Sequence, residues 1–451
     1  MKTRVILVRH GQSTYNLKKL IQGQLDLSVL TDFGIEQAKQ VGQTLTGIPF
    51  DHIYASPLKR AYKTAETIVE VLRTEIPDTP LPEAIDMIKE IDLPLWEGLS
   101  FDQVKAKYPE MHVLWRNDPS NCKMTLEDGT EFYPVRSLYD RATQFWQTTL
   151  PKHVGQTLLV VGHSAINRAL IATALGRGVA IHEQLGQANC AISVLNFTGE
   201  LGAGVQVESM NLTTHMGEPL PEMRSRYKGP RMLLVRHGET EWNRQKRFQG
   251  QIDIPLNDNG KRQGGQAAEF LKDVTIDAAV SSSLSRPKET AEIILQHHPN
   301  VVLETTDGLK EIGHGEWEGL YEHEIESGYP GMLKQWQDTP KTVQMPGAGG
   351  ENLAQVWERA IAAWNAIVAQ YSGTGAPITV LVSAHDAVNK AILCHIVGLG
   401  PESFWNFKQG NGAVSVIDYP DGVESRPVLT AANITIHLSG SIFDKTAAGA
   451  L

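Results

Sequence analysis

The chain has 451 residues, 41% hydrophobic and 20% charged, which is ordinary for a soluble globular protein and long enough for two separate cores. A formal charge of −10, from 51 acidic against 41 basic residues, argues against a general nucleic-acid or anionic-membrane surface, so an anion site has to be a local concentration of Arg and His. No segment approaches the roughly 18 uninterrupted apolar residues of a membrane span, and Cys122, Cys190 and Cys394 are too few and too scattered for a disulfide framework or a zinc cage.

The amino terminus runs directly into Val5-Ile6-Leu7-Val8 without a signal-peptide pattern, which makes a reducing cytosol the expected compartment. That short continuous apolar run predicts a central parallel strand buried on both faces, and Arg9-His10-Gly11 follows at its end. Helical spacing in Ile35, Ala38, Val41 and Leu45 predicts a helix over 30–45, with Thr31 or Asp32 as its N-cap. Ile53-Tyr54-Ala55 reads as a strand. Ser56-Pro57 then predicts an N-cap with Pro at the first helical position, and the helix continues through Ala61, Ala65, Ile68 and Leu72. Thr157 to Val161 is another apolar strand, Gly162-His163-Ser164 a turn, and Ile166 to Leu175 a helix.

The order then begins again. Leu233-Leu234-Val235 leads into Arg236-His237-Gly238, and the 227-residue step from His10 to His237 also carries Asn16 to Asn243, Gln22 to Gln249 and Gly23 to Gly250. With small drift, Arg60 maps to Arg286, Glu90 to Glu311, Trp96 to Trp317, His163 to His385 and Asn211 to Asn433. A whole-chain duplication is expected: one domain over 1–213, a Pro- and charge-rich linker over 214–230, and a second domain over 231–451. Alternating strands and helices predict an α/β fold with a largely parallel sheet, whose ligands bind beyond the carboxyl ends of the strands, where both histidine motifs stand. Similarity is weakest between Glu90 and the Thr157 strand, where 127–133 faces 346–351, so a cover formed there would give the copies different substrates. Asn211–His215 and Asn433–His437 are expected as a repeated strand at the sheet edge, and Trp96, Trp115, Trp317 and Trp336 as packing residues.

A lone Arg-His-Gly carries little. The ordered set does more: Arg-His-Gly, an Asn six residues past the His, an Arg in the first turn of a helix, a Glu before Trp-Glu-Gly, and a strand ending in His, found twice. With LVRHGQSTYN and LVRHGETEWN, ASPLKRAYKTAE and SSSLSRPKETAE, KEIDLPLWEG and KEIGHGEWEG, and VVGHSAINRAL and VSAHDAVNKAI, the chain resembles the histidine phosphatase (phosphoglycerate mutase-like) superfamily over essentially its full length. As a tandem pair it is similar to the carboxyarabinitol-1-phosphate phosphatase-like members. The resemblance implies two three-layer α/β/α domains, His10 and His237 as nucleophiles, and Glu90 and Glu311 as proton donors. It implies Arg9, Arg60 and His163, with Arg236, Arg286 and His385, as phosphate ligands; Asn16, Gln22, Asn243 and Gln249 are expected beside the phosphate, against a bland reading as turn and loop residues.

The chemistry agrees with that implication. Guanidiniums offer planar donor forks to a phosphoryl group, and a neutral imidazole can attack phosphorus through one nitrogen while a backbone carbonyl holds the proton on the other. A positioned carboxylic acid protonates the departing alkoxide and later deprotonates water. No metal and no cofactor are expected, and no acidic ligand cluster is present. Mutases of the superfamily carry a longer insertion with paired arginines between the acid and the second His. Here the steps from Glu90 to His163 and from Glu311 to His385 are 73 and 74 residues without adjacent arginines, so water is the expected acceptor. The expected function is hydrolysis of a small phosphorylated metabolite; mutase-type transfer, or one active domain beside a phosphometabolite sensor, are the alternatives. Neither nucleic acid nor membrane is an expected partner, and homodimerisation is left open.

Overall fold

The first strand, β1 (Thr3–Arg9), is buried along Val5–Val8 on both faces, as its apolar run demands. In the computed structural model, which describes residues 2–447, the chain divides between Glu218 and Pro219 into two compact units. Residues 448–451, the end of the second expected domain, lie outside the described residues.

In the first unit β1 is followed by α1 (Asp32–Thr44), β2 (His52–Ala55), α2 (Lys59–Leu72), β3 (Glu83–Ala84), α3 (Pro134–Thr149), β4 (Thr157–Gly162), α4 (Ser164–Ala174), β5 (Ile192–Phe197) and β6 (Val205–Leu212). The strand order is β6-β5-β1-β4-β2-β3. Pairs β1/β4, β4/β2 and β2/β3 are parallel; β1/β5 and β5/β6 are antiparallel. The expected central strand is therefore parallel to its neighbour on one side only: β5, which follows α4, runs antiparallel to it. Helix α1 packs on α2 and α3 on α4; since β1 and β4 are buried on both faces, one helix pair covers each face.

The second unit has β7 (Arg231–Arg236), α5 (Asp258–Leu271), β8 (Ala278–Ser282), α6 (Ser285–Ile294), β9 (Leu303–Thr306), α7 (Leu353–Gln370), β10 (Thr379–Ala384), α8 (Asp386–Ile396), β11 (Val414–Asp418) and β12 (Val428–Ile434). Its order, β9-β8-β10-β7-β11-β12, has three parallel pairs and then two antiparallel ones. The expected linker includes a 3-10 turn, Thr214–Met216, and the buried side chains of Leu220 and Tyr227. Among the described residues no helix is long and apolar enough to cross a membrane.

Two local expectations fail for definable reasons. Ser56 is not an N-cap: its amide still bonds Val161 O at 3.0 Å in sheet fashion, Leu58 is extended, and α2 starts only at Lys59. The late strands stop at Leu212 and Ile434, short of His215 and His437. Asn211 and Asn433 there take φ of +57° and +52°, which Asn tolerates better than most residues, and each Oδ1 accepts an amide, Ala188 N or Gly410 N, at 2.7 Å. They hold the loop that leads into the preceding strand, β5 or β11, and His215 and His437 bond the same loops through Cys190 O and Gly412 O.

Candidate active site

Strands β1 and β4 end side by side, Arg9 opposite Gly162, and this register brings His10 and His163 together. The two imidazoles are buried, with ring centroids 5.1 Å apart; His237 and His385 repeat this at 5.1 Å. The close turn after β1 depends on glycine at position 11, where a Cβ would lie 2.3 Å from Gly34 O of α1. Gly11 N is held by Thr64 Oγ1 at 3.1 Å.

His10 Nδ1 lies 2.7 Å from Gly11 O, and His237 Nδ1 2.7 Å from Gly238 O. A carbonyl only accepts, so the proton sits on Nδ1 and Nε2 keeps its lone pair; in the second unit Arg286 Nε donates to that Nε2 at 3.2 Å. Burial first, then the neighbouring guanidiniums, hold both imidazoles well below the usual histidine range. His163 and His385 are held low for the same reasons. Their Nε2 atoms meet Ser56 Oγ at 2.8 Å and Ser282 Oγ at 2.9 Å, whereas Nδ1 has no hydrogen-bond partner among the described residues.

The arginines converge on the same space. Arg60, buried at the start of α2, gives Nη2 to Gly23 O at 2.8 Å, while its Nε and Nη1 have no partner among the described residues. Arg286 gives Nη2 to Gly250 O at 2.7 Å, and burial brings it down to about 10, still charged at neutral pH. Arg9 and Arg236 donate Nη1 to Gln187 O at 2.7 Å and Gln409 O at 2.5 Å. Buried donors without acceptors cost roughly 1–3 kcal/mol each, and in both units they are grouped around the paired imidazoles.

Asn16 and Asn243 are each the third residue of a short capped helix, and Asn189 or Asn411, in the loop after α4 or α8, donates to their Oδ1 at 3.2 and 3.3 Å. Ser13 N and Thr240 N each donate to the Asn Oδ1 at 3.1 Å, and the Ser13 and Thr240 hydroxyls reach Gln22 Oε1 at 2.8 Å and Gln249 Oε1 at 2.6 Å. With their oxygens engaged, the amides present their NH2 ends, and Gln249 Nε2 is buried without a partner among the described residues.

Glu90 and Glu311 are buried against the first turns of α4 and α8. Ala165 N lies 3.1 Å from Glu90 Oε1 and Ile91 N 2.9 Å; for Glu311 Oε1 the donors are Ala387 N at 3.2 Å and Ile312 N at 3.0 Å. Despite the differing sequences after each Glu, both carboxyls keep the matching pair of backbone donors. Burial and the Asp386 carboxylate push Glu311 above the ordinary carboxyl range.

Several residues of this arrangement escaped the sequence reading although each was written twice. Ser56 and Ser282 end matching strands; Asn189 and Asn411, in Gln-x-Asn, donate to His10 O and His237 O at 2.9 and 3.1 Å. Arg141 and Arg359, in Arg-Ala on the third helix of each unit, clasp the backbone leading to the acid: Nη2 reaches Glu90 O at 2.9 Å and Glu311 O at 2.8 Å. Trp96, Trp317 and Trp336 are buried packing residues, and Trp115, half-buried, packs edge-on to Trp96. Among the described residues no group of His, Cys, Asp and Glu is arranged to hold a metal ion.

The histidine phosphatase superfamily (branch 1) profile matches residues 5–212 and again 232–433. The chain is 33% identical to 2-carboxy-D-arabinitol-1-phosphatase of Triticum aestivum over 442 residues, 96% of this chain and 86% of that protein. It is 34% identical to phosphoserine phosphatase 1 of Hydrogenobacter thermophilus over 215 residues, 48% of this chain and 95% of that one. Among solved structures, the phosphoserine phosphatase of Entamoeba histolytica is similar at 27% identity and a TM-score of 0.40, covering 46% of this chain and 99% of its own. With both matched regions containing the two-histidine cavity, the chain belongs to the histidine phosphatase superfamily.

Proposed function

We propose that the two units are tandem copies of one phosphomonoesterase domain, each hydrolysing a small phosphorylated metabolite, a sugar phosphate or phospho-acid, through a phosphohistidine and without a metal. The observation that carries this reading is the pairing, in each unit, of a neutral imidazole whose Nε2 is left as the lone pair with buried guanidinium and imidazole donors that lack acceptors. Arg9, Arg60 and His163, helped by the amides of Asn16 and Gln22, hold the phosphoryl oxygens; Arg236, Arg286, His385, Asn243 and Gln249 do so in the second unit. His10 Nε2 forms the N–P bond as the P–O bond to the leaving group breaks, and Gly11 O steadies the Nδ1 proton as the ring becomes cationic. Glu90 gives its proton to the departing oxygen. It then takes one from water, whose oxygen bonds phosphorus as the N–P bond breaks. Glu311 serves His237 in the same way. A cationic, donor-rich cavity stabilises the equatorial charge, which is the part a metal would otherwise play.

The names of the relatives in Triticum and Hydrogenobacter support a small, acidic phosphorylated substrate. Three buried free thiols accord with a reducing cytosol. The test is rapid quench with a 32P-labelled phosphomonoester. Two alkali-stable, acid-labile labels per chain are expected, one in His10→Ala, one in His237→Ala and none in the double variant, with hydrolysis unaffected by EDTA. A single label per wild-type chain would favour the enzyme-plus-sensor alternative. Substantial hydrolysis by the double variant would overturn the assignment.

A further inference from the structure

The second site carries a buried carboxylate that the first lacks. Asp386, first residue of α8, directly follows His385; its Oδ1 lies 3.5 Å from Arg236 Nη1 and its Oδ2 2.6 Å from Lys390 Nζ. Lys390 is itself buried, its ammonium 4.9 Å and 4.6 Å from the ring centres of Phe404 and Trp405. At the matching places the first unit has Ser164 and Arg168. Two cations thus flank the Asp386 carboxylate in the second unit, where the first has a hydroxyl at position 164. The amide that holds Glu311 belongs to Ala387, so in the chain Asp386 lies between His385 and the donor to the acid.

We propose that Asp386 is a positioning residue that lets the second site work at higher pH and release phosphate more readily than the first. The inference rests on the phosphatase reading above. A fixed negative charge beside Arg236 disfavours both other anions nearby, the bound phosphate and the Glu311 carboxylate, so the acid keeps its proton longer and the product leaves more easily. The charged groups that act on the Glu311 carboxyl are Asp386 from α8, Arg286 from α6 and Arg236 from β7; Arg359 from α7, paired to Glu351, donates to Glu311 O, the His237 and His385 rings stand together at the ends of β7 and β10, and Lys390 pairs with Asp386. Of these Asp386 is the one whose charge raises Glu311 alongside burial, while Arg286 and Arg236 oppose it.

The experiment exchanges the charge between sites. Asp386→Ser is made in the His10→Ala chain and Ser164→Asp in the His237→Ala chain, with β-glycerophosphate as an alkyl phosphomonoester whose leaving group needs a proton. Asp386→Ser should move the alkaline limb of kcat/KM down by about one pH unit and strengthen inhibition by inorganic phosphate about tenfold; Ser164→Asp should do the reverse in the first site. A merely structural role would lower activity at every pH and leave the limb in place. If Asp386→Ser fails to fold, with Lys390 left unpaired, Asp386→Ser/Lys390→Met and Ser164→Asp carry the test. Unmoved limbs and phosphate affinities in folded variants overturn the proposal. Calorimetric binding of inorganic phosphate reads the same charge difference without turnover, so a failure of hydrolysis in both parents would strike the phosphatase reading separately.

Discussion

Ser56 and Ser282 show how one hydroxyl decides what a buried imidazole can do. Each sits within 2.9 Å of the Nε2 of the second histidine; a hydroxyl donating there leaves the proton on Nδ1, the atom without a partner among the described residues. Ser56→Ala in the His237→Ala chain should lower kcat about 10-fold, the cost of one unsatisfied buried nitrogen, and steady-state hydrolysis reads it. An unchanged kcat would mean that the ring is oriented by packing alone. At this scale the sequence was readable for which histidines, arginines and carboxyl come together and opaque for what supports them. His10, Arg60 and Glu90 announce themselves by chemistry, whereas Ser56, Asn189 and Arg141 look like a cap, a turn and a surface cation until their partners, remote in sequence, are known.

Among elements, the close approach of the turn after β1 to α1 fixes where the nucleophile points. The Cβ of Gly11→Ala would meet Gly34 O at 2.3 Å, a backbone atom that cannot swing aside, and Gly238 meets Gly260 O at 2.4 Å in the second unit. Gly11→Ala should cost about 1–3 kcal/mol, lowering the melting transition of that unit by several degrees, and should depress first-site turnover with it. Differential scanning calorimetry with the assay measures both; a wild-type melting curve would refute the close approach. Strand and helix identities were legible from apolar runs and helical spacing. Their ends were less so: Ser56-Pro57 carries a capping signature, yet sheet hydrogen bonding extends through Ser56 and delays the helix to Lys59. The halt at Asn211 was equally hidden, since a left-handed residue that bonds a distant loop leaves no periodic trace.

For the whole molecule, the buried histidines set the acid limit. Burial lowers His10, His163, His237 and His385 well below 6.5, His182, His215 and His437 to about 4, and His314 to about 3. Folded imidazoles bind protons less readily than unfolded ones, so the unfolded chain charges first as pH falls through about 6.5. Stability is fully present above that value and is lost progressively toward pH 4, with a steep dependence because many groups act together. Urea midpoints between pH 7.5 and 4.5 test this; a midpoint independent of pH would contradict the neutral burial of these rings.

One helix start per unit bears on how such a molecule can change. His163 and the amides of Ala165 and Ile166 that grip Glu90 belong to four consecutive residues, and His385 and the Ala387 amide on Glu311 to three. The second histidine and the carboxyl are therefore linked through one stretch of backbone, the histidine by its covalent place in it and Glu90 or Glu311 by hydrogen bonds to its amides. In the second unit the poorly matching stretch ahead of α7 is tied to this link as well: Glu351 pairs with Arg359 and accepts from Gly313 N at 2.8 Å while Arg359 clasps Glu311 O, so a change of sequence there is felt at the acid.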